Sequence, residues 1–284
     1  MNYAKEYSTA ELMAVFVARQ INNDDKVFIG IGIPLIAGAL ASLTHAPDSI
    51  LLFEAGGIGP HSRRIPWTIA DNPTTDNALS CSPMWSILMD CQRGFVTKAV
   101  IGGAEIDRFG NLNSSQIPGD NRDFQHPVLR LGGSGGANDL ASSARETIIM
   151  MRLEKRRFVN KINFVTSPGY FTGPGEREKY GLKGNGPFMV ATTRCYFRFD
   201  QNSKEMYLAG LFPGATVEEI KGYVEWDLKV ASELEEVKPP TLEELEILHT
   251  LDPANLMLGS GAKPSDFEEF YQQMMQSNSS ILYK

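Results

Sequence analysis

The sequence predicts an α/β fold: an open, mainly parallel sheet flanked by helices, with an antiparallel portion and a helical C-terminal tail. Apolar strands alternate with helical segments through much of the chain. Three of these strands run directly into glycine-rich loops, and short strands joined by a hairpin turn follow near residue 200. The 284 residues are 42% hydrophobic and 21% charged, which is typical of a globular protein.

The proline pair before residue 241 predicts a domain boundary. We predict one α/β domain over residues 1–238 and a peripheral helical extension over residues 239–284. Within the extension, residues 241–249 and 266–275 are typical of two polar helices with little core.

The first elements predict a βαβ unit. A capping box, Ser8 with Glu11, opens an amphipathic helix. Residues 26–31 form a buried strand, residues 35–43 an Ala- and Gly-rich helix, and residues 50–53 a second buried strand. Strand, crossover helix and strand in this order indicate parallel pairing with a right-handed crossover.

The second buried strand ends in a single carboxylate. Glu54 follows the strand directly and precedes three glycines in five residues, Gly56, Gly57 and Gly59. Open α/β sheets bind ligands at the carboxyl ends of their strands, and glycine lets a substrate or partner chain approach closely. This position suits an exposed nucleophile. The alternative is a solvated glutamate before a flexible loop.

The next segment, residues 61–77, lacks periodicity and is interpreted as a long surface loop or a cover near the acid. Within it, Arg63 and Arg64 face an anionic ligand or are simply solvated. Residues 82–94 then predict a helix and residues 95–101 a buried strand.

Two further glycine-rich loops carry candidate binding groups. In residues 102–115, Asn113, Ser114 and Ser115 are short uncharged donors that suit a carbonyl or amide oxygen. In residues 131–140, four glycines in five residues expose successive backbone N–H groups, as in an anion nest or an oxyanion hole. A flexible linker is the alternative for the second loop.

Residues 152–161 hold five basic residues and one acid within an acidic chain, and they indicate a phosphate-bearing ligand, an acidic partner face or a solvated ribbon. The remaining predicted elements are strands at 162–165, 188–193, 195–199 and 206–212 and helices at 216–223 and 227–234.

Composition disfavours several classes of function. A formal net charge of −7 disfavours nonspecific binding to nucleic acid or to anionic membranes. Cys81, Cys91 and Cys195 form no C-x-x-C pair and no metal-ligand spacing with the histidines, so we expect cytosolic thiols and no metal site. Without an apolar signal core or a membrane-length apolar run, a soluble cytoplasmic protein is expected.

Seven stretches in this order form a specific pattern. They are A-P-D at 46–48, the Glu54 strand and turn, G-G-A-E-I-D-R-F-G-N-L-N-S at 102–114, G-S-G-G-A-N at 133–138, I-I-M-M at 148–151, E-K-R-R-F-V-N-K-I at 154–162 and T-S-P-G at 166–169. Over about residues 10–228, the chain resembles the second, beta-type subunit of the family I CoA-transferases, in particular the glutaconate CoA-transferase branch.

The resemblance implies an activity. Glu54 would attack an acyl-CoA thioester and give an acyl-glutamyl anhydride, then a glutamyl-CoA thioester, from which CoA passes to a second carboxylate. The other implied residues are Asn113, Gly135 and Gly136 for the oxyanion and substrate and Gly133, Ala137 and Asn138 for CoA. The resemblance also implies CoA thioesters as substrates, no permanently bound cofactor, and an alpha-type partner in an α2β2 or larger assembly.

The chain departs from the family pattern in two places. The family often has Ser or Asn after the glutamate, where this chain has Ala55, and residues 61–77 match poorly. Relatives of this fold hydrolyse, decarboxylate or cleave CoA thioesters, including ring-cleaving hydrolases of steroid breakdown. A hydrolase or lyase chain that uses Glu54 as general base is therefore the alternative, and a non-catalytic regulatory module is a third hypothesis. The decarboxylase branch has lost this glutamate, so its retention favours transfer.

Overall fold

The computed structural model describes residues 2–30, 32–62, 64–253, 255–259 and 272. The chain forms two compact units. Unit 1 comprises Met1–Met89 with Pro239–Lys284, and unit 2 comprises Asp90–Lys238. The boundary between Met89 and Asp90 falls within one helix.

The described residues form the following elements. The helices are α1 (Thr9–Ala18), α2 (Ile33–Leu43), α3 (Met84–Gln92), α4 (Ala137–Ser143), α5 (Glu176–Lys179), α6 (Val217–Lys221) and α7 (Leu242–Leu251). The strands are β1 (Lys26–Ile29), β2 (Ile50–Leu52), β3 (Gly57–Ile58), β4 (Ser80–Cys81), β5 (Lys98–Ile101), β6 (Glu105–Ile106), β7 (Leu112–Asn113), β8 (Gln116–Ile117), β9 (Leu129–Arg130), β10 (Glu146–Met150), β11 (Pro187–Ala191), β12 (Cys195–Phe199), β13 (Met206–Leu211) and β14 (Lys229–Glu236).

Unit 1 is built on the predicted βαβ unit. Strands β1 and β2 pair in parallel, with Lys26 opposite Ile50, and α2 connects them. Gly38 lies where α2 packs on the strands, since a Cβ there would lie 2.6 Å from Cδ1 of Ile29 and 3.3 Å from Cδ2 of Leu51. The small residues of α2 therefore let the helix pack closely on the strands beneath it.

Helix α7 belongs to the core of unit 1. Its Leu245, Leu248 and Leu251 are buried, because spacings of three residues place them on one face of the helix. The guanidinium of Arg19, at the end of α1, donates to both carboxylate oxygens of Glu244 at 2.9 and 2.7 Å. The prediction that this helix has little core is wrong.

The remainder of the predicted extension stays a prediction. The helix predicted over residues 266–275 lies outside the described residues, apart from Gln272. The division into domains 1–238 and 239–284 likewise stays a prediction.

Unit 2 combines parallel and antiparallel pairing. Strand β10 pairs in parallel with β5 on one side and β11 on the other. Strands β11, β12 and β13 are antiparallel neighbours, and β14 pairs in parallel with β13. Two antiparallel ribbons, β6–β7 and β8–β9, carry the loops that follow β5.

Two predicted elements of unit 2 are wrong. The sequence predicts a helix over residues 227–234, but β14 lies there, because pairing with β13 outweighs the local helical propensity. It also predicts a strand over residues 162–165, but they form an irregular loop. In this loop both the backbone and the side chain of Asn163 donate to Glu105 instead of to a neighbouring strand.

The predicted fold class, an α/β fold with a mainly parallel sheet, flanking helices and an antiparallel portion, is confirmed. Within the part of the chain that the structure describes, no helix combines the length and the apolar character needed to cross a bilayer.

Candidate active site

Glu54 lies at the tip of the hairpin that connects β2 and β3. The N–H of Phe53 donates to the carbonyl of Gly57, and the N–H of Gly56 donates to the carbonyl of Phe53, both at 2.9 Å. Glu54 and Ala55 therefore occupy the central positions of a tight turn. The hairpin holds the carboxylate just beyond the carboxyl end of a buried strand.

The Glu54 carboxylate makes no hydrogen bond and no ion pair with any residue that the structure describes. The residue is only partly buried. Its oxygen lone pairs are therefore not engaged by donors of the described chain. A carboxylate in this situation can act as a nucleophile or as a base toward a bound substrate.

Gly56 and Gly57 are required by the packing of the chain itself. A Cβ at Gly56 would overlap the carbonyl of Ser82, and a Cβ at Gly57 would overlap the carbonyl of Thr74. The N–H of Ser82 also donates to the carbonyl of Gly56 at 3.0 Å. The sequence predicts that these glycines leave room for a substrate or partner chain, but the room is occupied by the backbone of the following segment.

The segment 61–77 is folded back on itself beside this hairpin. The guanidinium of Arg64 donates to both oxygens of Asp71 at 2.6 and 2.8 Å, and the N–H of Trp67 donates to Asp71 at 3.0 Å. Burial acts to raise the pKa of Asp71, but these hydrogen bonds outweigh it and the pKa is lowered overall. Arg64 is thus engaged within the chain, whereas Arg63 lies outside the described residues.

In unit 2, Asn113 is fully buried and its side-chain amide is saturated. Its Nδ2 donates to Oε2 of Glu105 at 2.6 Å and to the carbonyl of Gln116 at 2.9 Å. Its Oδ1 accepts from the N–H of Ser115 at 3.0 Å. These contacts fix the turn that follows β7. They also occupy both hydrogens that an oxyanion would need, so the role of Asn113 as an oxyanion donor stays a prediction.

Glu105 is a residue of this site that the sequence did not reveal. It is buried, and it accepts hydrogen bonds from Asn113 and from both the backbone N–H and the Nδ2 of Asn163, at 3.2 and 2.8 Å. The only local sign of Glu105 in the sequence is its position directly after a glycine pair and an alanine. Acids are seldom buried without partners, so its burial implies the hydrogen bonds found here. Glu105 holds the 113–116 turn and the 162–165 loop together.

Thr166 supports the same turn. Its Oγ1 accepts from the N–H of Ser114 at 2.9 Å and shares a hydrogen bond with Oγ of Ser115 at 2.8 Å. The T-S-P-G motif that begins at Thr166 therefore carries a structural contact to the candidate site.

The glycine-rich loop lies against the 113–116 turn. The N–H of Gly133 donates to the carbonyl of Ser114, and the N–H of Leu131 donates to the carbonyl of Ser115, both at 2.9 Å. Gly133 and Gly135 have φ of +87° and +50°, which favours glycine. The structure thus brings Asn113 and the loop together within unit 2.

Gly135 and Gly136 present unpaired donors. Their N–H groups have no acceptor among the residues that the structure describes. Gly136 caps α4, and Ala137 and Asn138 are the first residues of that helix. The N–H of Ala137 donates to the carbonyl of Ser134 at 2.9 Å, so the consecutive donors without an acceptor in the described chain are those of Gly135 and Gly136.

Glu54 lies in unit 1, while Asn113, Gly133, Gly135 and the start of α4 lie in unit 2. Each unit thus carries its own candidate groups, a carboxylate without a partner among the described residues in unit 1 and a loop of backbone donors in unit 2.

The basic segment 152–161 is partly neutralised. Glu154 pairs with Arg156 at 2.7 Å and with Arg157 at 3.2 Å. Lys155 and Lys161 are exposed. The expected phosphate-bearing ligand or acidic partner at this segment stays a prediction.

Comparisons with known proteins identify the family of the chain. Residues 10–222 match the family described as Coenzyme A transferase. The chain is 36% identical over 247 residues to the B-type subunit of 3-oxoadipate CoA-transferase from Pseudomonas knackmussii, covering 87% of this chain and 94% of that protein. It is 37% identical over 262 residues to the B-type subunit of glutaconate CoA-transferase from Acidaminococcus fermentans, covering 89% of this chain and 95% of that protein.

A solved structure also matches. The crystal structure of glutaconate coenzyme A-transferase from Acidaminococcus fermentans superimposes with a TM-score of 0.83 at 35% identity, covering 91% of this chain and 99% of that chain. The resemblance predicted from the sequence motifs is confirmed. The chain belongs to the Coenzyme A transferase family and is a CoA-transferase chain.

Proposed function

We propose that this chain is the beta-type half of a two-subunit CoA-transferase and that Glu54 is its nucleophile. The observation that carries the proposal is the Glu54 carboxylate itself, which lies at a hairpin tip without a partner among the described residues. The retained glutamate, in a chain of this family, supports transfer of CoA through a covalent intermediate.

The reaction balances as four exchanges at carbonyl carbons. A Glu54 oxygen attacks the acyl-CoA thioester and expels the CoA thiolate, which leaves an acyl-glutamyl anhydride. The thiolate then attacks the Glu54 carbonyl carbon and expels the free carboxylate, which leaves a glutamyl-CoA thioester. The acceptor carboxylate attacks that thioester and expels the CoA thiolate, which leaves a second acyl-glutamyl anhydride. The thiolate then attacks the acyl carbon of the acceptor, which gives the new acyl-CoA and releases the Glu54 carboxylate. Each intermediate is activated, so water must be kept out.

Fixed donors are needed where oxyanions form. We assign this role to the N–H groups of Gly135 and Gly136, and one such donor contributes about 3 kcal/mol. Asn113 is the proposed side-chain donor, and donating to the oxyanion requires its Nδ2 to exchange the Gln116 carbonyl for the substrate oxygen. Gly133, Ala137 and Asn138 are assigned to CoA by the same resemblance.

The proposed enzyme also contains a second, alpha-type chain. Both named relatives are B-type subunits, which supports an alpha-type partner for this chain in an α2β2 or larger assembly. Both relatives are also named for a dicarboxylate, so we propose a dicarboxylic acid as one of the two carboxylates exchanged. CoA thioesters are substrates, and we propose no permanently bound cofactor.

The test uses the chain copurified with its alpha-type partner. Acyl-CoAs are mixed with acetate, glutaconate or 3-oxoadipate, and free thiol is followed against new acyl-CoA. New acyl-CoA without free thiol is expected. Borohydride or hydroxylamine should trap a product at Glu54, located by peptide mass spectrometry. Free CoA released at one rate whatever the acceptor would overturn the proposal in favour of a hydrolase with Glu54 as base.

A further inference from the structure

Arg177 is a buried cation whose guanidinium is held by backbone. The residue is 4% exposed, and within the described chain its guanidinium donates only to backbone carbonyls. The acceptors and distances are Gly184 (3.0 Å), Gly169 (2.9 Å), Pro168 (3.3 Å), Ala141 (2.9 Å) and Ser142 (3.3 Å). Burial lowers its pKa. The desolvation of this buried charge is offset by its hydrogen bonds to several segments of backbone, which the charge thereby joins.

One of these segments is the end of α4. Ala141 and Ser142 lie in its last turn, where carbonyls lack partners within the helix and carry partial negative charge. The Nη2 atom of Arg177 therefore satisfies the end of α4. The helix is seven residues long, so its other end lies about 10 Å away, directly after the cap residue Gly136.

The second segment is the T-S-P-G loop. Nη1 of Arg177 holds the carbonyls of Pro168 and Gly169, and the N–H of Gly169 donates to Oδ1 of Asn111 at 2.9 Å. At the start of the same loop, Thr166 accepts from the N–H of Ser114. The loop is therefore fixed to the 111–115 segment at both of its ends.

These contacts form one continuous frame. It runs from the 113–115 turn through residues 166–169 to Arg177, and from there along α4 to Gly136. We propose that Arg177 is a positioning residue that fixes the backbone donors of Gly135 and Gly136 relative to Asn113. This inference rests on the proposed function, because it assigns the frame to the oxyanion site of the transfer reaction.

Arginine is required for this arrangement. Its planar guanidinium directs donors at three segments at once, whereas a lysine ammonium is a compact charge with three donors and a different reach. Replacing Arg177 by Lys keeps the charge but releases part of the frame. Because a misplacement of about 1 Å at a reacting centre costs about 10²-fold in rate, the loss should appear in kcat.

The experiment compares variants in the holoenzyme. Arg177→Lys should lower kcat by about 10²-fold, because the frame fixes the oxyanion donors. The KM for acyl-CoA should rise by a smaller factor, since the residues assigned to CoA lie at the same end of α4. Arg194→Lys is the matched control, since Arg194 also holds three acceptors, two oxygens of Glu219 and the carbonyl of Gly214. Its kcat should stay at the wild-type value.

Chemical rescue provides a readout that loss of folding would not give. Arg177→Ala should regain kcat when guanidinium ion is added, and the neutral analogue urea at the same concentration should have no such effect. If either Arg177 variant does not fold, Thr166→Val removes the acceptor of Ser114 at the other end of the frame and should show the same fall in kcat.

Two outcomes would overturn the inference. One is a wild-type kcat in Arg177→Lys or Thr166→Val, and the other is a loss confined to KM. Failure of the proposed function is recognised separately, because the wild-type holoenzyme would then release free CoA at one rate whatever the acceptor, independently of the Arg177 variants.

Discussion

Glu54 and Glu105 are carboxylates with opposite environments. Both lie beside glycines near the end of a buried strand, and the sequence around each has the same character. Glu54 is partly buried and has no partner among the described residues, whereas Glu105 is buried and accepts three hydrogen bonds. The number of donors that the fold supplies, and not the residue type, distinguishes a group able to react from one that holds structure.

The largest expected effect is at Glu54. Glu54→Gln should lower transferase turnover by about 10³-fold or more, because an amide cannot form the anhydride or the thioester. Stability should be unchanged, since no described hydrogen bond to the side chain is lost. Steady-state kinetics and thermal unfolding of the holoenzyme measure the two quantities. Glu233→Gln, an exposed glutamate, is the control. Unimpaired turnover in Glu54→Gln would remove the distinction between the two carboxylates.

Replacing Glu105, unlike replacing Glu54, should lower the stability of the chain. Glu105→Ala leaves the Nδ2 groups of Asn113 and Asn163 without this acceptor. The loss should cost about 1–3 kcal/mol of unfolding free energy at the buried Asn113 and less at the partly buried Asn163. Glu54→Ala should cost nothing measurable. Urea unfolding of the two variants gives the comparison, and equal stabilities would show that the Glu105 cluster does not hold its loops.

The glycines after Glu54 and those of the loop 131–140 also have different surroundings within the fold. Gly57→Ala should destabilise the chain by about 1–3 kcal/mol, because the new Cβ overlaps the carbonyl of Thr74 and the backbone must shift. Gly132→Ala should be nearly neutral, since a Cβ there has no heavy atom within 4 Å among the described residues. Chemical denaturation of both variants measures the difference. A neutral Gly57→Ala would mean that segment 73–82 is not held on the Glu54 hairpin.

The local parts of the fold could be predicted from the sequence. The βαβ unit, the capping box at Ser8 and the strand that precedes Glu54 follow from periodicity and from caps, which depend on neighbouring residues. The helix predicted at residues 227–234 is wrong because an edge strand is decided by its neighbour in the sheet, β13.

The contacts of the site could not be predicted in the same way. Glu105 and Asn163 lie 58 positions apart in the chain, and Arg177 lies 36 positions from Ala141. No local pattern reports such pairs. The sequence therefore indicates which residue types are available, whereas the fold decides which of them are already saturated by partners within the chain.

The smallest expected effect concerns the segment that packs on the Glu54 hairpin. The pKa of Asp71 lies below its ordinary value of 3.8, because the hydrogen bonds from Arg64 and the Trp67 N–H to the charged form outweigh its burial. As the pH falls, the Asp71 carboxylate is therefore protonated in the unfolded chain before it is protonated in the folded chain. Its contribution to the free energy of unfolding is present above about pH 4 and is lost as the pH falls toward the folded pKa.

Asp71→Asn should accordingly lower stability by about 1 kcal/mol at about pH 7, where the pair is charged, and by less as the pH falls below about 4. Urea unfolding of wild type and variant at a series of pH values measures the difference, and Asp123→Asn, at a carboxylate whose partner His126 is exposed, is the control. A difference that does not shrink in acid would mean that the Arg64 pair does not hold this segment, and that the hairpin carrying Glu54 is supported by the glycine contacts alone.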